Sequence, residues 1–555
     1  MKILVVILAA LLLFNVPLKS LANENIKLVV TNENNVRKII SVSNAEVEKF
    51  KSKNTSYIIE DDLFVSSPKI KPKAYNSDGK IISRYDKLVL GKSSQSSTDT
   101  DYTPNDEYFS EQVHWLKQDS PYLGYNNVLF SVRALSPLRR PVVGVIDSGF
   151  YQHPDLTYLD GYNMSRVEYE ADGQTYGGER GEYFYIPEGL NNSPEGRQKC
   201  TVHGTGVAGV AVATRDNNIG FAGITDADFI ATRSMACGGG FLSDSADAIR
   251  WQLGEQVDEI RKPLATVDVI NLSLGGQAQT CPSYLQEAIT QANVKGVPVV
   301  VAIGNNQIDA SEFTPTNCNG VINVAAATRE GDLFPTSNFG KEIDIVVLGE
   351  YIAGMTAYPE QIGYWEESSF ATPIVTGVIA NAVAEFGPLT PAEIKFFLAA
   401  TATSFAPGQC DDSVRCGPGI LDAEQFHLAM RAYKTGGILS IKPALSNSQF
   451  CDNTLYITDD NELQRLCSTL EVSLPIHQSN RSDIRFDILQ YPKGQAMTFE
   501  NGAVVMTTQS SRLLVANLDL EQNDYGVRVC NNERCFGGTA IKISNLTQDK
   551  PEICE

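Results

Sequence analysis

No cysteine occurs before Cys200 in this 555-residue chain, histidine appears only five times, and basic residues are scarcer than acidic ones. With Lys+Arg at 45 against Asp+Glu at 66, the formal net charge is −21. That balance excludes nucleic acid and anionic membranes as natural partners and favours solubility, or cationic substrates. Five histidines, no His-Glu-x-x-His and no paired Cys-x-x-Cys leave no framework for zinc. Beyond the N-terminus no stretch is expected to be long and apolar enough to span a bilayer, and no internal repeat is visible. What is present is 43% hydrophobic residues, enough for a large core in two or three units.

The start, Met1-Lys2 followed by the apolar run Ile3 to Phe14 and then Ser20-Leu21-Ala22, has the layout of a secretory signal peptide over residues 1–22. An uncleaved N-terminal anchor is the alternative; the expected product is a secreted, extracellular, soluble monomer without stable membrane insertion. In an exported chain the 11 cysteines read as disulfides. Close neighbours suggest Cys410 with Cys416, Cys451 with Cys467 and Cys530 with Cys535. Cys200 with Cys237 and Cys281 with Cys318 are further candidates, which leaves Cys554 over.

Three units follow the leader. Residues 23–101 are polar, with strands expected over 26–30 and 55–59, a helix over 45–53, and a linker from Lys92 to Asp101 that is open to proteolysis. Residues 102–435 alternate apolar runs with helical ones, as at 141–146, 229–233, 267–272, 297–303, 321–326 and 343–347. The spacing predicts a doubly wound, mostly parallel α/β sheet. Residues 436–555 break into short runs split by Asn, Asp and Gly, and predict an all-β unit. A small module on a cleavable linker suggests either a pro-segment or a separate binding module.

Four stretches carry possible chemistry. Pro141 to Gly149 is a buried-strand pattern ending in Asp147, where open α/β sheets place their sites. Thr201 to Gly209 puts His203 at the head of a helix of very small residues, a position that suits a neutral ring acting as a base. Val299 to Asn306 is a strand whose Asn305 can donate to an oxyanion. Trp365 to Pro373 leads into an apolar helix. Proline is tolerated in a helix's first turn, so Ser369 is expected within about one turn of the start, where unpaired N–H groups favour negative charge. Each stretch alone is equally an Asx turn, a structural histidine, a turn asparagine or an N-cap serine.

Together, Asp147, His203, Asn305 and Ser369 in that order resemble the subtilisin-like serine proteases, over about residues 102–430. The motifs are Val-Ile-Asp147-Ser-Gly, His203-Gly-Thr-Gly-Val-Ala-Gly, Asn271-Leu-Ser-Leu-Gly-Gly276, Ala-Ile-Gly-Asn305 and Ser368-Ser369-Phe-Ala-Thr-Pro373. The resemblance implies an Asp147–His203–Ser369 triad that cuts peptide bonds through an acyl-enzyme, with Asn305 and the Ser369 N–H as oxyanion donors. Ser273, Leu274 and Gly275 would pair with substrate main chain. Residues 102–110 are similar to the mature start of the thermitase branch. That likeness implies a zymogen cut in the preceding linker, with residues 23–101 as the chain's own inhibitor. It also implies structural Ca²⁺ held by Asp106, Asp155 and Asn217 with the carbonyls of Arg215, Ile219 and Phe221.

Two departures stand out. Gly206 replaces a histidine common in the family, and Glu366-Glu367-Ser368 replaces Asn-Gly-Thr before the nucleophile. A side chain at Glu367 is expected to narrow the cleft beside the primary pocket and to shift preference, with basic groups one possible direction. The competing reading is a catalytically silent binding or adhesion protein on the same fold. A non-protease α/β hydrolase fits less well, because no Gly-x-Ser-x-Gly elbow surrounds Ser369.

Overall fold

The computed structural model describes residues 25–32, 37–66, 102–115, 126–171, 174–186, 202–236, 238–359, 361–405, 410 and 413–434. In the C-terminal part it describes residues 441–443, 455–457, 463–465, 470–473, 484–499, 501–509, 512–515, 522–531 and 534–542. The expected signal peptide, the linker at 92–101, and Cys200, Cys237, Cys451, Cys467 and Cys554 lie outside these residues.

Seven strands form one sheet: β1 (Val142–Asp147), β2 (Tyr158–Asn163), β3 (Asp228–Arg233), β4 (Val269–Leu272), β5 (Val299–Ala302), β6 (Val321–Ala327) and β7 (Ile345–Leu348). Their order is β7-β6-β5-β4-β1-β3-β2, and every pairing is parallel. Strands β4 to β7 are buried at every position, as continuous apolar runs between two helical layers should be. Alternation decides which core each residue joins. Val300 faces one apolar cluster with Val143 and Val145, while Val299 and Val301 face the other with Ile146 and Ile270. Each such aliphatic side chain contributes about 1.5–3 kcal/mol on burial. Strand β2 was not expected, because Asp160, Gly161 and Asn163 interrupt any apolar pattern.

The order of growth reverses beside β1, with β3 on one side and β4 on the other. The carboxyl ends of β1 and β4 therefore border a crevice. Two helices start there or pass through: α1 (His203–Val212), buried at all of its residues, and, much later in the chain, Ser368–Phe386. Between them run α2 (Leu242–Gln252) and α3 (Ser283–Val294); after them come α5 (Pro391–Thr401) and α6 (Ala423–Lys434), with Ser368–Phe386 as α4. Helix α5 opens with a capping box of Thr390 and Glu393.

Two expectations are corrected by α4. Its 19 residues include an 18-residue window of mean hydropathy 1.3, long and apolar enough to cross a membrane, but 89% of that window is buried inside the protein, as a core helix. Pro373 lies inside this helix, at its sixth residue, rather than in the first turn. Proline has no N–H for the carbonyl of Ser369, and the Ser273 hydroxyl donates to that carbonyl instead, at 2.8 Å.

Disulfides join Cys281 to Cys318, Cys410 to Cys416 and Cys530 to Cys535. At the C-terminus, Ala503–Thr508, Arg485–Pro492, Asn523–Cys530 and Cys535–Lys542 form a four-stranded antiparallel sheet in that spatial order. The all-β character of this part agrees with the sequence pattern.

The N-terminal strands Asn25–Thr31, Arg37–Ser43 and Ile58–Asp61 form an antiparallel sheet beside the helix Val47–Lys53. This module rests on two helix starts. Glu60 accepts from the Ser283 N–H at 2.8 Å and from its hydroxyl, at the head of α3. Asp62 accepts from the Ser243 N–H at 3.2 Å and from its hydroxyl at 2.6 Å, at the head of α2. Carboxylates there satisfy unpaired N–H groups at the positive end of each helix. Burial nevertheless pushes the Asp62 carboxyl up to about 6, with the hydrogen bond from Ser243 and the Arg166 charge opposing and the Asp244 charge adding. Since the raised value belongs to the docked form, this group supports docking fully below about pH 4 and less as pH rises through about 6. Hydrogen-exchange protection of residues 58–66 should therefore fall between these limits, and Asp62→Asn should flatten that dependence.

Candidate active site

Asp147 ends β1 and is buried; His203 opens α1 and is fully buried. Asp147 Oδ1 lies 2.8 Å from His203 Nδ1 and also accepts from the Ser148 N–H at 2.6 Å. The approach depends on Gly204, where a Cβ would sit 2.4 Å from the Gly149 carbonyl oxygen and 3.1 Å from the Asp147 Cβ. The other imidazole nitrogen, Nε2, is buried and has no hydrogen-bond partner. Leaving such a group unmet costs about 1–3 kcal/mol in a folded core, so a buried nitrogen of this kind points to a role.

Ser369 is the second residue of α4 and is buried. Its hydroxyl lies 3.4 Å from the Ser273 carbonyl oxygen, a long contact for an O–H donor. Its neighbour Phe370 meets the His203 ring edge-on at 5.4 Å, which brings the start of α4 to the start of α1. Asn305 follows β5, and its Oδ1 accepts from the Ser368 N–H at 3.1 Å and the Ser368 hydroxyl at 2.8 Å. With the oxygen committed, the amide donor Nδ2 is the end left for the crevice. Asn338, which sequence reasoning missed, steadies this loop: its Nδ2 donates to the Ile303 carbonyl, and its Oδ1 accepts from the N–H groups of Asn306 and Ile308. No local pattern marks it, because its partners lie 30 or more residues away.

A cavity of about 490 Å³ opens beside Ser369, between Ser273–Leu274–Gly275 and Gly304–Asn305, with Phe313 and Glu367 also lining it. Glu367 immediately precedes α4 and has φ 81° and ψ 178°. Only glycine adopts that region freely, and a residue held there stores about 1–3 kcal/mol. The Glu367 N–H donates to the Gly349 carbonyl at 2.7 Å, and Thr336 Oγ1 donates to its carboxylate at 3.2 Å. Also along the cleft lies Phe64–Ser66, from the N-terminal module. It pairs antiparallel with Gly239–Phe241, while Val65 packs where a Cβ on Gly276 would go. The Gly239–Phe241 strand was not anticipated; glycines ahead of a helix offer only a faint signal.

Gly206 has a simple structural reason. A Cβ there would lie 3.0 Å from both Phe370 and Trp365, which stack at 4.4 Å and fill the space a larger side chain would need.

The expected cation ligands gather in part. Asp155 is fully buried, and burial pushes its carboxyl up to about 7, with the Asp106 charge adding to the rise. Burial raises the Asp106 carboxyl as well, and its Oδ1 has no partner. Asp216, Asn218 and Gly220 have φ of 62°, 61° and 53°, so the loop holding Arg215, Asn217, Ile219 and Phe221 curls tightly around these acids. Adjacent buried carboxylates with an orphaned oxygen fit a hard cation. Asn217 does not yet fit: its Nδ2 donates to Asp155 Oδ1 at 2.8 Å, and its Oδ1 accepts from the Ile219 N–H. The other grouping of potential metal ligands among the described residues, Asp487 with Cys530 and Cys535, has both sulfurs in a disulfide.

The family model described as the subtilase family matches residues 139–419. An extracellular protease of Xanthomonas campestris pv. campestris is 35% identical over 340 residues, which is 58% of this chain and 56% of that protein. An extracellular basic protease of Dichelobacter nodosus is 32% identical over 301 residues, or 51% and 49% of the two chains. The chain thus spans about half the length of these curated relatives. Among solved structures, a protease from Pseudoalteromonas arctica is 32% identical with a TM-score of 0.51, over 59% of this chain and all of that one.

Restoring a histidine at Gly206 should overpack the Phe370–Trp365 stack and cost about 1–3 kcal/mol. Thermal denaturation of Gly206→His should show a lower Tm than the parent.

Proposed function

The chain belongs to the subtilase family, and on that premise we propose that it is a secreted serine endopeptidase made as a zymogen, with Asp147, His203 and Ser369 as its triad. The observation that carries this reading is the buried 2.8 Å contact between Asp147 and His203, with an unpartnered Nε2 on the far side of the ring. Asp147 holds the Nδ1 proton and stabilises the imidazolium that forms; Nε2 takes the proton from Ser369. For that step the Ser369 hydroxyl turns from the Ser273 carbonyl to Nε2 as substrate enters. Ser369 Oγ then attacks the peptide carbonyl, and the oxyanion is met by the Ser369 N–H and Asn305 Nδ2. His203 passes its proton to the leaving amine, and water, deprotonated by the same ring, releases the acyl group.

Substrate main chain would add as a strand between Gly239–Phe241 and Ser273–Gly275, the course that Phe64–Ser66 follows. That course supports residues 23–101 as an intramolecular inhibitor, after a leader at 1–22 and before a peptidase unit at 102–435 and a β extension at 436–555. Subtilases as a family bind structural calcium; here Asp106 and Asp155 with the Arg215, Ile219 and Phe221 carbonyls would hold it, and Asn217 would join by turning its amide. The ion would neutralise two buried acids and stiffen the loop.

A fluorophosphonate probe should label Ser369 in the purified chain, and Ser369→Ala should abolish both labelling and casein hydrolysis. A chain that hydrolyses casein with Ser369 replaced would refute the assignment. Asn305→Ala should lower kcat by about 10²–10³-fold, in the range found for an oxyanion donor. Removing calcium with a chelator should lower Tm, and Asp106→Asn with Asp155→Asn should erase the difference between calcium-loaded and stripped samples.

A further inference from the structure

We propose that the ring of Phe313 closes off the primary pocket and restricts it to small side chains, alanine, glycine or serine, at the substrate residue whose carbonyl is attacked; this rests on the peptidase reading above. That carbonyl must reach Ser369 Oγ with its oxygen towards Asn305, so the side chain beside it enters the cavity between Ser273–Gly275 and Gly304–Asn305. The lining residues Gly275, Ala302 and Gly304 carry little or no side chain, which alone would leave a deep slot. Phe313 occupies that space. Its Cζ lies 3.0 Å from where a Cβ on Gly275 would sit and 2.8 Å from where one on Gly304 would sit, and Cε1 is likewise 2.8 Å from the second point and closer still to the first. The tip of the ring therefore packs against both walls at once, where their missing side chains would have been. The 490 Å³ of the cavity is shared with the cleft in which Phe64–Ser66 runs, because these residues line it as well.

The backbone holds the ring in place. Phe313–Thr314 is a short strand paired antiparallel with Gly276–Gln277, the continuation of the segment proposed to hold substrate. The ribbon is fastened on both sides of that pairing. The Ala278 N–H donates to the Glu312 carbonyl at 2.8 Å, and Asn317 Nδ2 donates to the Ala278 carbonyl at 2.9 Å. The Phe313 carbonyl accepts from the Asn317 N–H at 3.0 Å and from the Thr316 hydroxyl at 2.6 Å. Beyond these bonds the Cys281–Cys318 disulfide joins the two arms. Phe313 is only 5% exposed, so its ring is packed rather than free to swing into solvent. A long or aromatic substrate side chain would have to displace it, and overpacking of that kind is costly in a closely fitted wall. A methyl or hydroxymethyl group needs no such displacement.

The test compares kcat/KM for peptides that differ only in the residue before the scissile bond, as Ala, Ser, Leu or Phe, using the full chain as purified. The parent should prefer Ala over Phe by roughly ten- to hundredfold. Phe313→Ala, which removes the ring, should bring that ratio to about one or below by raising kcat/KM for the Phe peptide. Phe313→Leu, which keeps an apolar group in the ribbon, should move it part of the way. A parent that cleaves after Phe as fast as after Ala would overturn the proposal, and so would a ratio left unchanged in Phe313→Leu. Those two results decide the matter even where the alanine variant does not fold. Fluorophosphonate labelling of the same preparations separates the two levels. A labelled, active parent with no preference for small side chains sinks only the role of Phe313, whereas a parent that neither labels nor cleaves sinks the peptidase reading with it.

Discussion

The hydrogen bond between Asp147 and His203 is the contact on which the site's geometry depends. It joins the last residue of one central strand to the first residue of a buried helix, so neither side chain can move without the core moving. The closeness has a steric precondition in Gly204, because any Cβ there would collide with the Gly149 carbonyl oxygen. It also leaves Asp147 Oδ2 and His203 Nε2 buried without partners. A stable core avoids such groups, and a catalytic one needs a base whose lone pair is not already taken.

The serine side of the crevice rests on a second exchange of hydrogen bonds. Pro373 inside α4 releases the Ser369 carbonyl from the helix, and Ser273 captures it. Ser273 is itself tied back through Asn271 to Thr376, about two turns beyond Ser369 along the same helix. The segment proposed to hold substrate and the helix carrying Ser369, the proposed nucleophile, are thus one hydrogen-bonded unit. A shift in one is transmitted to the other.

Gly206 and Glu367 show how the packing around this site accommodates the residues it carries. Phe370 and Trp365 stack where a larger residue at 206 would reach, so the glycine and the aromatic pair form one packing solution. Glu367 accepts a glycine-like backbone, and the surrounding bonds from Gly349, Phe370 and Thr336 hold it there. Strain of this kind persists only where neighbours over-determine the conformation, and it clusters where a protein has work to do.

The main sheet was legible from the chain because parallel strands buried on both faces are continuous apolar runs, and six of seven stand out that way. Strand β2, which lies at the edge and carries Asp160 and Asn163, has no such signature. Asp147, His203, Asn305 and Ser369 could be named from local patterns, since strand ends and helix starts are written in nearby residues. Their convergence could not, because it depends on the parallel crossovers that stack those ends at one edge. The same holds for Asn338 holding the Asn305 loop, for Phe64–Ser66 lying in the cleft, and for Pro373 sitting inside its helix. Composition and short-range pattern determined the elements, the apolar faces and the candidate groups. Which groups meet and which are left without a partner were decided by contacts between residues far apart in the chain, and these exist only once the core has closed.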